Sequence, residues 1–168
     1  MKALKIGLIV IGSLVVVMFI FLVAYKILYS QGIAPSFEVN RPDLKQKVLI
    51  ITQGSKFKDA LVSHLIEQLK QKPVYIKVID ATALSGVKEE DWNAVVLINT
   101  CEMGKLQPDV KNYLTQAKNF NKVVLLTTSG SGDWKPKDVA VDSISSASKK
   151  EHVPSLSANI LARLEKIL

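Results

Sequence analysis

The chain has 168 residues, 48% of them apolar, and a formal charge of +7. That is enough for one domain with its own core plus a short appendage. One cysteine excludes an internal disulfide framework, and two distant histidines, His64 and His152, leave no metal-ligand spacing. The lysines are scattered, without a dense run or a basic helix face, so the surface reads as solvated and not as a nucleic-acid footprint.

Residues 1–5 form a basic flank. From Ile6 to Tyr25, "IGLIVIGSLVVVMFIFLVAY" carries no charge and is bracketed by Lys5 and Lys26. Its length matches a helix crossing a hydrocarbon core of about 30 Å. "AYKILYSQG" offers neither a small-residue cleavage site nor a cysteine to lipidate, so residues 6–25 read as an uncleaved signal anchor. The α-amino group, Lys2 and Lys5 precede the span, whereas Lys26 is the only charge before Glu38. The positive-inside rule then places the N-terminus in the cytoplasm and the rest of the chain outside it, by a margin that Arg41, Lys45 and Lys47 narrow.

Residues 26–46 form a Gly- and Pro-bearing linker, and residues 47–168 a folded domain. "KVLIIT" (Lys47 to Thr52), "AVVLIN" (Ala94 to Asn99) and "KVVLLTT" (Lys122 to Thr128) are continuously apolar and β-branched, as strands buried on both faces of a parallel sheet are. "VYIKVID" (Val74 to Asp80) and "VAVDSIS" (Val139 to Ser145) alternate, which suits edge strands. Helical stripes run from Phe57 to Leu69, from Pro108 to Lys118, and beyond Pro154. Central placement of the buried strands gives an α/β, doubly wound, five-stranded parallel sheet in the order 2-1-3-4-5. The connections "ATALSGVKEEDWN" and "SGSGDWKPKD" are too short for full crossover helices. One sheet face therefore has only the Pro108 helix as proper cover, and either the domain's own loops or a partner must complete it.

Strand order reverses between the first and third strands, so their carboxyl ends open the crevice where ligands sit in such sheets. Three loops converge there: "TQGSKF", "NTCEMGKLQP" and "TSGSGDW". "DWNAVVLINTCEMGKLQPDVKNYL", followed by "NKVVLLTTSGSGDW", resembles the flavodoxin family and the small flavin reductases related to it. The resemblance implies FMN held non-covalently, its phosphate on Thr52, Gly54, Ser55 and Lys56. The isoalloxazine ring would lie between Asn99, Thr100, Met103 and Gly104 on one side and Ser129, Gly130, Ser131, Gly132 and Trp134 on the other. It also implies an electron carrier or flavin-dependent redox protein rather than a hydrolase, working with a redox or complex partner at the membrane.

Some residues depart from the family pattern. The first loop lacks the family's second threonine pair, and Ser55 serves equally as the N-cap of the following helix. Cys101 is either a small buried side chain or a thiol that needs a cationic neighbour to become reactive. Trp134 either stacks on a heterocycle or folds back as a lid on the sheet. "VDSISSASKK" lacks the central glycine and threonine of covalently flavinylated domains. The alternative function is a flavin-free interaction module, or a subunit of a membrane or envelope complex.

Overall fold

The computed structural model describes residues 2–29, 31–137 and 139–168, and in the first helix the side chains of residues 4–25. The chain divides into two compact units, one ending at Gln31 and the other starting at Gly32. The first is a single helix, α1 (Lys2–Tyr29). Its segment Leu4–Tyr25 is 22 residues long, with none of it buried inside the protein. At 1.5 Å per residue it spans about 33 Å, long and apolar enough to cross a bilayer.

The second unit is a six-stranded α/β sheet with the chain order β1 (Phe37–Val39), β2 (Gln46–Thr52), α2 (Lys56–Leu69), β3 (Val74–Asp80), β4 (Ala94–Thr100), α3 (Pro108–Gln116), β5 (Val123–Thr128), β6 (Ser143–Ser146) and α4 (Val153–Ile167). The spatial order is β1-β3-β2-β4-β5-β6. β2 to β6 pair in parallel, and taken alone they follow the 2-1-3-4-5 order.

Two expectations about the edges are corrected. Val74–Asp80 is not an edge strand, because Phe37–Val39 pairs antiparallel along it and brings the sheet to six strands. Glu38 lies opposite Lys77 and forms a 3.1 Å ion pair with it. The polar middle of "VYIKVID" is therefore explained by a cross-strand charge pair and not by open solvent. Just beyond β1, Asn40 turns the chain in the left-handed region at φ 65°, and its Nδ2 donates to the Val74 carbonyl at 2.8 Å. At the other edge, the segment expected as a strand from Val139 forms one only over Ser143–Ser146. Pairing with β5 begins at Leu125 opposite Ser143, while Val139 and Val141 pack over the sheet face instead.

The pleat sends alternate residues to opposite faces. Val48, Ile50, Val96, Ile98, Val124 and Leu126 face α2 and α4. α2 presents Leu61, Val62, Leu65 and Leu69, and α4 presents Val153, Leu156, Ile160 and Leu164, both at helical spacing. Each fully buried side chain of this kind contributes about 1.5–3 kcal/mol by leaving water. On the opposite face, Leu49, Ile51, Val95, Leu97 and Leu125 pack under α3 through Val110, Tyr113 and Leu114. A 3-10 helix (Ala81–Gly86) and the loop residues Trp92, Trp134 and Val141 complete that cover. The domain's own loops thus close the face left thin by the short crossovers.

Candidate functional site at the carboxyl ends of the strands

β2 ends at Thr52, which is buried, and the following loop leads directly into α2. Ser55 is the α2 N-cap, its hydroxyl accepting from the Lys58 N–H at 3.3 Å. Lys56 is exposed. Gly54 makes two backbone hydrogen bonds to Gly32, one in each direction, at 2.7 and 2.8 Å. A Cβ on Gly54 would meet backbone atoms of Gly32 and Ile33 at 2.7–2.9 Å, so only glycine admits this approach. Two residues on, the Ala34 N–H donates to Asp80 Oδ2 at 2.7 Å, and Ala34 is buried. Burial pushes the Asp80 carboxyl up, but the Ala34 and Thr82 N–H groups and the Thr82 hydroxyl outweigh it and hold the pKa below the ordinary value. The segment 32–34 thus lies across the first loop.

The interior of the crevice is filled by polar side chains of the domain itself. Gln53 is buried, and its Oε1 accepts from the Thr100 N–H at 2.8 Å. Lys58 is 1% exposed, and its Nζ donates to Thr100 Oγ1 at 2.6 Å. Burial lowers the Lys58 pKa to about 8, against the opposing pull of Glu102 and Asp59. Thr100 Oγ1 also meets Thr128 Oγ1 at 3.0 Å. Asn99 is fully buried and donates to the Leu126 carbonyl and to Thr127 Oγ1, each at 3.2 Å, while its Oδ1 has no partner among the described residues.

The loop after β4 closes as a tight turn: Glu102 and Lys105 exchange two backbone hydrogen bonds of 3.0 Å. Met103 (φ 49°) and Gly104 (φ 73°) both occupy the left-handed region, the pattern of a type I′ turn. Met103 is 93% exposed. The Cys101 thiol is raised by burial, with the Gly104 and Lys105 N–H groups pulling the other way. It therefore stays protonated near neutral pH and is a poor nucleophile.

After β5, the Ser129 N–H donates to the Ser146 carbonyl at 3.0 Å, and the Ser129 hydroxyl accepts from the Gly132 N–H at 2.9 Å. Gly130 and Ser131 are exposed. Gly132 sits at φ 81°, where a Cβ would strike the Ala147 nitrogen at 2.7 Å. Trp134 packs against the α3-side core, and its carbonyl accepts from Ser145 Oγ at 2.7 Å.

The residues read from the sequence therefore do not form one site, and seven of them gather in two places. Thr52, Gly54, Ser55, Asn99 and Thr100 gather at the crevice with Gln53, Lys58 and Thr128. Gly104 and Trp134 instead share a separate cleft of about 290 Å³ with Lys105, Lys111, Lys135 and Lys137. Sequence reading missed Lys58 and the four lysines of this cleft. Lys58 carried a signal, since it falls on the α2 stripe with Leu61, Val62 and Leu65. Lys105 comes from the loop after β4, Lys111 from α3, and Lys135 and Lys137 from the loop after β5, so the cleft lysines carried none.

The residues present do not fit FMN in this arrangement. The Gly54 N–H, which a phosphate would take, is held by the Gly32 carbonyl, and backbone fills the space above it. No protein-family model matches the sequence, and no curated protein matches it. Among solved structures, the general stress protein 14 of Treponema denticola, in complex with FMN, aligns with a TM-score of 0.45 and 11% identity over 73% of this chain and 99% of its own. The assignment of the parallel strands to the flavodoxin-like order comes from the pairing and register of this sheet itself.

Proposed function

We propose that this chain is a membrane-tethered interaction module of flavodoxin-like topology. α1 serves as its single-span anchor, and the domain beyond lies outside the cytoplasm. The observation that carries this reading is the reciprocal Gly32–Gly54 pairing, which commits the first loop to the protein's own backbone. Gln53 and Lys58 occupy the space behind it with side chains that are themselves hydrogen-bonded. A crevice closed in this way holds a shape and presents a surface. The tether raises the module's effective concentration near partners in the same membrane.

FMN binding with electron transfer to a membrane partner is the second reading. It is favoured by the small polar side chains gathered at the strand ends, with an ammonium among them. It requires residues 32–34 to leave the crevice, whereupon Thr52, Gly54, Ser55 and Lys56 would border the phosphate. The full chain, expressed with ample riboflavin and purified in a non-ionic detergent with FMN present, separates the two. The interaction module is colourless and does not quench added FMN fluorescence. Stoichiometric retention of FMN with a flavin absorption band would overturn it in favour of the second reading.

A further inference from the structure

We propose that the lysine-ringed cleft beside Trp134 is the docking site for an acidic protein segment with an apolar anchor residue. This deepens the interaction-module reading by naming the partner's chemistry. It uses none of the crevice residues, so it stands apart from the flavin question.

Three observations converge. The first is charge. Lys105, Lys135 and Lys137 are exposed around the cleft, Lys111 joins them, and none of the described lining residues is acidic. Asp138, next to Lys137 in sequence, is outside the described residues. The second is Met103, held in the left-handed region at φ 49° with its side chain 93% exposed. A non-glycine residue there costs about 1–2 kcal/mol, and asparagine or glycine would suit the turn better. The fold gains no packing from this side chain. A strained, solvent-facing apolar group beside a cationic cleft points to a contact outside the domain. The third is rigidity. Trp134 is fixed by the core beneath it and by the Ser145 bond to its carbonyl, and Pro136 restricts the backbone between Lys135 and Lys137.

The same features choose the occupant. A volume of about 290 Å³ lies at the small end of ligand pockets, room for one side chain rather than a cofactor. Lysines are flexible point charges, suited to carboxylates spread along a peptide, whereas phosphate recognition favours the rigid forks of arginine. Tryptophan and methionine are enriched at protein interfaces, and rim charges steer the encounter. The concave shape, with Trp134 half-buried within it, suits an inserted side chain better than a flat headgroup surface.

The test uses the full chain in non-ionic micelles and a fluorescein-labelled Asp/Glu-rich heptapeptide with a central phenylalanine. Saturable binding that weakens with salt is expected. Lys105→Ala, Lys135→Ala and Lys137→Ala should each weaken it by about two- to fivefold, and the triple variant by tenfold or more. Met103→Ala should weaken it severalfold with an unchanged melting temperature, because that side chain is 93% exposed. Absence of binding, equal binding by the triple variant, or equal binding of an all-acidic peptide lacking phenylalanine would each overturn the proposal. So would lysine-dependent quenching of tryptophan by brominated phosphatidylserine in nanodiscs without peptide binding, which would assign the patch to the membrane.

Discussion

Lys58 places an ammonium among hydroxyls at the head of α2, where it is 1% exposed and bonded to Thr100 at 2.6 Å. Burial holds its pKa at about 8, against an ordinary lysine value of 10.5. Between those values the unfolded chain keeps a proton that the folded protein has released, so stability rises with pH. The contribution is complete above the unfolded value and lost as pH falls through about 8. Three groups act in the opposite sense at higher pH. Cys101 is raised by burial, and burial also raises Tyr75 and Tyr113 to about 12. Comparing urea unfolding of the wild type and Lys58→Met isolates the lysine. From pH 8 to 10 the wild type should gain on the variant by on the order of 1–2 kcal/mol. A constant difference across that range would mean that Lys58 does not titrate as a buried ammonium.

At the scale of elements, the segment before β1 and the loop before α2 stabilise one another. Two backbone hydrogen bonds join Gly32 and Gly54, and Asp80 anchors Ala34 from the end of β3. Gly54→Ala places a methyl group within 3 Å of backbone, which cannot yield as a flexible side chain would. The variant should lose both bonds, lowering stability by about 1–3 kcal/mol. Amide exchange at Gly32 should accelerate and cleavage by added protease should appear between residues 32 and 36, while β4 and β5 remain protected. Unchanged exchange at Gly32 would show that the two segments do not depend on each other. β1 itself rests on three residues and one charge pair, which is little to hold a strand without that anchor.

For the molecule as a whole, the proposed anchor makes topology measurable. Lys2 and Lys5 precede the apolar span of α1, and only Lys26 follows before Glu38. Protease added to intact cells or spheroplasts should digest residues 32–168, leaving the span in the membrane. Complete protection until lysis would place the domain in the cytoplasm and reverse the proposed orientation.

The sequence by itself determined the apolar helix, the three buried strands, the helical stripes and the 2-1-3-4-5 order of the parallel strands. These rest on local signals, namely uninterrupted apolar length, β-branched runs and period, which survive without knowledge of neighbours. Only the tertiary structure decided which polar atoms are already bonded. "TQGSKF" reads as a phosphate loop because its residues suit one, yet the acceptor that takes the Gly54 N–H belongs to Gly32, 22 positions earlier in the chain. Phe37–Val39 was equally silent, since three residues between a serine and an asparagine carry no strand period until β3 offers them an edge. Trp134 and Gly104 were legible as site residues, but their company of lysines was not, because the loop and helix after β4 meet the loop after β5 only in the folded chain. Hydrogen-bond satisfaction and charge clustering are properties of proximity in space, and periodicity along a chain does not encode them.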